Sequence, residues 1–422
     1  MYVMPHSPGN TPRDFRLSFF TAVAHGSRMV NYFCASPLAV GGTENYVDTS
    51  DLPMWREIHA CTHAAGAFED YVIDGQVRPA KVGLILSSVD DVLTGANNSS
   101  FAMHNNERKA IYYALRHAQV PVDFLSEDDV IEGRAKDCKV IYILQQWMHS
   151  KATEALTKWV QAGGTLVALG GGGFKNEFNQ SNTGANTLYG VKSQSLATDP
   201  DLVPKYLLKE NTPFLTKQDL PPYVPMDKVK WTRGERTVSD VPVIVWKQTL
   251  VPTDAKVIGT FADGKPAVLE KAHGKGRALL FGFLPGQAYL KSGLPLRPAD
   301  RGATDAGYSH FLPTGMDTAL RAAIVDDFLP AGFLRPVVCN ETLVESSAID
   351  TVAAGGKSAR LAVPLMNYTG KPITKLEVKL TGLTGAKSIR SIERGVLKTE
   401  TRDGATFVTL PLNVADMLLI DR

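Results

Sequence analysis

Four apolar runs alternate with helix-like stretches between residues 81 and 169, and this alternation constrains the fold more than any other feature of the chain. The runs are 81–88 (KVGLILSS), 120–125 (VPVDFL), 139–144 (KVIYIL) and 165–169 (TLVAL). The first is apolar on consecutive positions and ends in small polar residues, the pattern of a strand covered on both faces of a parallel sheet. Residues 106–117 have the apolar spacing of an amphipathic helix. Residues 151–162 predict another helix, closed by Gly163-Gly164 at its C-cap. Strand, helix, strand at these short separations requires parallel neighbours joined by right-handed crossovers. The expected class is therefore α/β.

Downstream the pattern changes twice. Residues 190–240 are rich in Pro, Lys and Asp and are expected to be an irregular insertion. Regular pattern returns at 241–246 (VPVIVW) and 255–261. The turn Ala262-Asp263-Gly264-Lys265, the run 266–270, the turn Gly274-Lys275-Gly276-Arg277 and the run 278–283 follow. Residues 317–328 are expected to form a closing helix. From about residue 335 to 422 only short, alternating segments remain, at 358–367, 373–380, 395–401 and 406–412. Turn signals separate them, as in a small all-β sandwich. The expected domains are 1–78, 79–334 with the insertion near 190–240, and 335–422.

Composition excludes several function classes. The chain has 422 residues, 44% hydrophobic and 21% charged, enough to bury several cores. A net charge of +2 supplies no electrostatic ground for nucleic acid or an acidic membrane surface, so neither partner is expected. No apolar stretch approaches the ~20 residues that span a bilayer. The first nine residues hold no basic segment followed by an apolar run, so no secretory signal is expected there; the compartment stays open. Cys34, Cys61, Cys138 and Cys339 are far apart and form no CxxC pair. Buried free thiols are expected rather than disulfides or a zinc site. No cofactor is expected.

Residues 1–78 open with a Pro/Gly-rich loop and continue through a helix into a strand at 28–33. A long loop with Pro37, Gly41, Gly42 and Glu44 leads to a helix at 55–68, where Ile58, Cys61, Ala65 and Phe68 repeat at helical spacing. Asp51 and Pro53 mark its start. The segment 19–33 (FFTAVAHGSRMVNYF) resembles the eighth strand and preceding helix of family 42 glycoside hydrolases, the β-galactosidase type with a trimerisation domain. In that family a helix carrying Ala-His-Gly, here Ala24-His25-Gly26, leads into a strand whose terminal aromatic pair floors the sugar site. Here that pair is Tyr32 and Phe33. The stretch 261–286 (FADGKPAV…GKGRALLFGFLPG) is similar to the end of the same family's trimerisation domain. That domain is flavodoxin-like and related to class I glutamine amidotransferases.

The resemblance implies a partial (β/α) barrel segment at 1–78, a flavodoxin-like self-association domain at 79–334, with a trimer favoured, and a terminal β-sandwich. It implies the C-terminal half of a glycoside hydrolase, possibly acting on a β-galactoside. A non-enzymatic assembly or carbohydrate-binding protein derived from such an enzyme is the alternative. The family's chemistry rests on two glutamates at the ends of strands four and seven. The chain is expected to begin after strand seven, so no catalytic residue is assigned and the isolated chain is expected to be inactive. Asp14, its first carboxylate, stands in the sequence context of a helix start.

The remaining candidates each carry two readings. Glu44 and Asp48 follow the last barrel strand, on the catalytic face of such a barrel. Glu44, Tyr32 and Phe33 are the candidate sugar contacts; a solvated loop carboxylate and core aromatics are the alternatives. Gln145, Gln146, Trp147 and His149 follow the third parallel strand, where these folds bind ligands. Gln146, Trp147 and His149 could equally form a protein interface. His25 suits a helix C-terminus. His59 and His63 have i, i+4 metal-ligand spacing, but no third ligand accompanies them, so no metal site is assigned. Gly170–Gly173 lacks the Gly-Lys-Ser/Thr ending of a phosphate loop and is expected to be a tight turn. Cys138 precedes its strand, whereas an amidotransferase nucleophile sits on a strand-to-helix elbow, so that activity is not expected.

Overall fold

A computed structural model describes residues 2–3, 11–32, 35–36, 47–48, 51–95, 98–198, 225–244, 246–293, 316–352, 358–383 and 385–422. The described residues divide into two compact units: 11–79 with 334–422, and 80–293 with 316–333.

The first unit opens with helices α1 (Pro12–Ala24) and α2 (Leu52–Val72) and strand β1 (Gly75–Val77). Thr11 caps α1 and accepts from the Asp14 amide, while the Asp14 carboxylate accepts from the Thr11 amide at 2.8 Å. This reciprocal box, with Pro12 in the first turn, starts the helix inside the stretch expected to be loop. Asp51 caps α2 by accepting from Met54 N. The two helices meet through Phe19, Phe20 and Phe68, with ring centroids 5.6–6.5 Å apart. Of the strand expected at 28–33, Asn31–Tyr32 is strand; it pairs in parallel with Tyr2–Val3.

The second unit begins with β2 (Val82–Leu86), α3 (Ser88–Gly95), α4 (Asn98–His117), β3 (Asp123–Ser126), α5 (Glu127–Ile131), β4 (Val140–Ile143), α6 (Ser150–Gln161), β5 (Thr165–Leu169) and α7 (Thr183–Tyr189). It continues through β6 (Val191–Thr198), β7 (Asp227–Arg233), β8 (Arg236–Val243), β9 (Trp246–Pro252), β10 (Lys256–Phe261), β11 (Pro266–His273) and β12 (Gly276–Phe281) to α8 (Pro285–Gly293) and α9 (Thr318–Ile324). Nine strands form one sheet in the order β8-β7-β10-β11-β12-β5-β4-β2-β3. The run β12-β5-β4-β2-β3 is parallel throughout. Strands β6 and β9 form a separate antiparallel ribbon.

Both faces of the parallel part are covered, which explains its continuous apolar runs. Val82, Leu84, Tyr142, Val167 and Phe281 face one core, while Ile85, Ile141, Ile143, Leu166 and Leu280 face the other. Glu107 on α4 is fully buried and accepts from Gly286 N (2.8 Å) and Gln287 N (2.7 Å) at the start of α8. Burial pushes its carboxyl up to about 8 against the pull of those two bonds.

The insertion expected at 190–240 is corrected. It contains β6, β7 and β8, although 199–224 lie outside the described residues. In β7, Val229 and Trp231 are buried while Lys228, Lys230 and Thr232 are exposed. Charged residues on the solvent face of an antiparallel strand hid a period of two. The closing helix expected at 317–328 is α9 followed by a 3₁₀ turn at Asp326–Phe328.

The chain then returns to the first unit through β13 (Val337–Cys339), β14 (Val344–Ser346), β15 (Ile349–Val352), β16 (Ser358–Asn367), β17 (Ile373–Thr381), β18 (Ser388–Ser391), β19 (Gly395–Val396), β20 (Thr399–Arg402), β21 (Ala405–Leu412) and β22 (Ala415–Asp421). One sheet has the order β13-β17-β21-β20. The other runs β19-β18-β22-β16-β15-β1, with β14 also on β16. Residues 1–78 and 335–422, read separately in the sequence, therefore share a sheet: Val77 pairs with Ile349 and Gly75 with Thr351. They share a core as well. Leu418 and Ile420 of β22 face the opposing sheet, while Met417 and Leu419 face the cluster holding Phe20 and Phe68. Arg78 clamps Asp350 through two bonds of 2.8 and 2.9 Å.

Candidate functional site

In a parallel sheet the place for a ligand is the crevice beyond the carboxyl ends of the strands, where the strand order reverses. Here that is the space between β2 and β4, and the segment 145–151 runs across it. Each amide N–H from 146 to 151 has an acceptor from the chain itself. The Asp90 carboxylate takes Gln146 N (2.8 Å) and Trp147 N (3.1 Å). The Lys175 carbonyl takes Met148 N. Glu127, at the start of α5, takes His149 N at 2.7 Å. Glu177 takes the amide and hydroxyl of Ser150, each at 2.8 Å. His149 Nδ1 accepts from Lys151 N and so caps α6.

Two of the carboxylates that fill this crevice, Asp90 and Glu127, sit in a poor environment for charge, whereas Glu177 is lowered, burial there being outweighed by its hydrogen bonds, those from Ser150 among them. Asp90 is pushed up to about 6 by burial, opposed by the two amides. Burial also raises Glu127, opposed by His149 N. An anion arriving here would meet amides already satisfied by carboxylates. The arrangement is an internal plug that holds α3, α5 and α6 against the strand ends.

The residues singled out after the third strand belong to that plug. Gln146 is 7% and Trp147 4% exposed. The Trp147 indole donates to Asn179 Oδ1 at 2.9 Å, and Lys175 Nζ lies 5.2 Å from its ring centre. Gln145 is buried; its Oε1 accepts from Leu144 N and its carbonyl from Gly173 N. As an interface patch, Gln146 and Trp147 present little surface to a partner, which corrects that expectation for these two; His149 is half-buried. Sequence places these residues at the crevice, but only the fold shows that Asp90, Glu127 and Glu177 close it from elsewhere in the chain.

The glycine run has a packing cause. Gly170, Gly171, Gly172 and Gly173 have φ of +56, +124, +53 and +71°. A Cβ on them would come within 2.2 Å of Leu284, 2.7 Å of Phe174, 2.4 Å of Ala168 and 2.7 Å of Met148. The loop is glycine because the chain turns left-handed inside a packed core.

Of the candidate sugar contacts, Tyr32 is half-buried and packs on Phe15 with centroids 5.3 Å apart. Burial raises its hydroxyl, opposed by a hydrogen bond with Thr62. Phe33 and Glu44 lie outside the described residues. Asp48 lies in a two-residue strand parallel to Ala35–Ser36. His25 caps α1, with Nε2 3.0 Å from Glu345 Oε1. His59 and His63 sit side by side on the exposed face of α2. Among the described residues no three or more His, Cys, Asp or Glu side chains group as metal ligands. Cys61, Cys138 and Cys339 are buried free thiols. Burial pushes them up to about 12, 11 and 12, so none is a ready nucleophile.

One feature has no signal in the sequence. A surface depression of about 450 Å³ is lined by Arg233, Gly234, Glu235, Arg236, Glu270 and Asp327. Four of its charges pair internally, Arg233 with Glu270 at 3.2 Å and Arg236 with Asp327 at 3.0 Å, and Arg233 also covers the Phe328 ring. Among the described residues no helix is long and apolar enough to cross a membrane.

No protein-family model matches the chain, and no curated protein matches it. Solved structures do. The β-galactosidase from Bacillus circulans sp. alkalophilus is similar with a TM-score of 0.66 and 17% identity, covering 100% of this chain and 55% of that one. Gan42B, a GH42 β-galactosidase from G. stearothermophilus, is similar with a TM-score of 0.63 and 16% identity, covering 100% and 53%. The β-galactosidase from the haloarchaeon Halorubrum lacusprofundi follows at 0.59 and 16%, covering 100% and 53%. At these identities the likeness is one of fold. The chain has a GH42-like β-galactosidase fold and spans about half the length of those structures.

Proposed function

We propose that this chain supplies the C-terminal half of a GH42-like glycoside hydrolase, its residues 1–78 contributing to the rim of the sugar site. Residues 79–334 act as a flavodoxin-like self-association domain and the final strands as a β-sandwich. The observation that carries the reading is the match along the whole chain to only about half of each β-galactosidase. The parallel strands support the flavodoxin-like part, since in chain order they lie 2-1-3-4-5 across the sheet. Assembly, with a trimer favoured, draws support from the sheet's edge strand β3. Phe124 there is 49% exposed and stacks on Tyr112, near in sequence to the exposed Tyr113. An exposed edge strand with aromatic cover is a natural place for a second copy.

No catalytic carboxylate is assigned to this chain. Asp14 is engaged in the α1 capping box, so its acceptor capacity is directed at backbone. An aryl β-D-galactoside assay tests the reading. The chain alone should show no turnover above blank. Hydrolysis that Glu44→Gln abolishes would overturn it. Light scattering tests assembly separately, and a monomer at roughly tens of micromolar would remove that part.

A further inference from the structure

We propose that His59 and His63 form a two-imidazole site for a divalent transition-metal ion of the copper, nickel or zinc class. This goes beyond the glycosidase reading and does not depend on it. Helix α2 buries Met54, Ile58, Cys61 and Phe68 on one side and exposes both histidines on the other. Spacing of i, i+4 puts the two side chains on one face. Their Nε2 atoms lie 3.1 Å apart and their ring centroids 4.3 Å apart.

That separation fits a shared ion. Metal–imidazole bonds of about 2.0–2.1 Å across a 3.1 Å nitrogen gap give a nitrogen–metal–nitrogen angle of about 98°. The value falls between the octahedral right angle and the tetrahedral angle. Without metal, one Nε2–H donates to the other Nε2. On binding, that proton moves to Nδ1 of the same ring, both Nε2 lone pairs turn to the ion, and no proton leaves the site. Of the exposed neighbours Arg56, Ala60, Thr62, Gly66 and Ala67, the alanines and the glycine are small, which leaves room for water on the ion's other positions. Glu57 is engaged by Arg16 at 2.9 Å, so the donor set is imidazole and water. Such a set selects copper, nickel or zinc, whereas magnesium and calcium need oxygen ligands.

The test titrates the full chain with Ni²⁺ and Cu²⁺ by calorimetry. One ion per chain is expected. His59→Gln or His63→Gln should weaken binding by roughly 10²-fold, because the second imidazole acts at high effective concentration. His25→Gln should bind as the original chain does. The Cu²⁺ spectrum should show two coupled nitrogens in the original chain and one in either variant. Circular dichroism should be unchanged in all three, since both imidazoles are on the surface. Equal affinity in the original chain and His63→Gln, or weak binding spread over all the histidines, overturns the proposal.

Discussion

Cutting the chain before Leu334 removes the helical cover from the sandwich, and the outcome can be worked from the buried face. On β15, β16 and β22 the side chains of Ile349, Met366, Met417 and Leu419 are fully buried in the cluster that contains Phe20 and Phe68. A fragment of residues 334–422 would expose all four. At about 1.5–3 kcal/mol for each buried side chain, the loss is about 6–12 kcal/mol. This is an upper estimate, because an unfolded chain already covers part of that surface. The fragment also loses the pairing of β1 on β15, the Arg78–Asp350 clamp and the bond from Tyr71 to Asp421. About ninety residues at roughly 0.05–0.15 kcal/mol each supply only about 4–13 kcal/mol in total. The loss matches the whole stability, so the fragment should be molten or unfolded at 25 °C. Far-ultraviolet circular dichroism with a urea titration reads this directly, and adding residues 1–79 in trans should restore structure. A cooperative urea transition of the fragment alone, with the slope expected for its size, would show that the sandwich core is sufficient and refute the reasoning.

Three further outcomes follow from single sites. Gly172→Ala forces a Cβ to 2.4 Å from Ala168 at φ +53°; it should cost about 2–5 kcal/mol, and a melting temperature within a degree of the original would contradict the packing account. Burial holds Asp90 (about 6) and Glu107 (about 8) above their unfolded values, so between about pH 4 and 8 the folded state binds more protons and stability falls as pH rises. Glu107→Gln should flatten the upper part of that profile, and melting temperatures equally steep between pH 6 and 8 would argue against it. Asn367 is fully buried, donates to the Lys371 and Asn413 carbonyls at 2.8 and 2.7 Å, and accepts from Thr369 N. Asn367→Ala removes the partner of the Asn413 carbonyl and the Thr369 amide, while the Lys371 carbonyl keeps the Thr369 hydroxyl at 2.9 Å, and should cost about 2–4 kcal/mol by urea titration, whereas an unchanged midpoint would mean the turns hold without it.

Local rules were enough for the elements whose signals lie within a few residues. The runs 81–88, 139–144 and 165–169 hold the strands Val82–Leu86, Val140–Ile143 and Thr165–Leu169 because both faces of a parallel sheet are covered, and a continuous apolar run records that. Asp51 and Gly163 mark helix ends by capping chemistry that involves only near neighbours. The glycine run at 170–173 is visible as a turn for the same reason. Tertiary structure decided what depends on residues far apart. Strand β7 carries charge on one face and is recognisable only once β8 and β10 pair on either side of it. The union of residues 11–79 with 334–422 rests on β22, in which Ala415, Met417 and Leu419 are apolar towards one core and Leu418 and Ile420 towards another, a fact that its sequence records without naming either partner. The crevice at the strand ends was readable as a position, but its closure was not. Asp90, Glu127 and Glu177 reach it from three separate segments, and a carboxylate that plugs a site has the same local sequence as one that faces water.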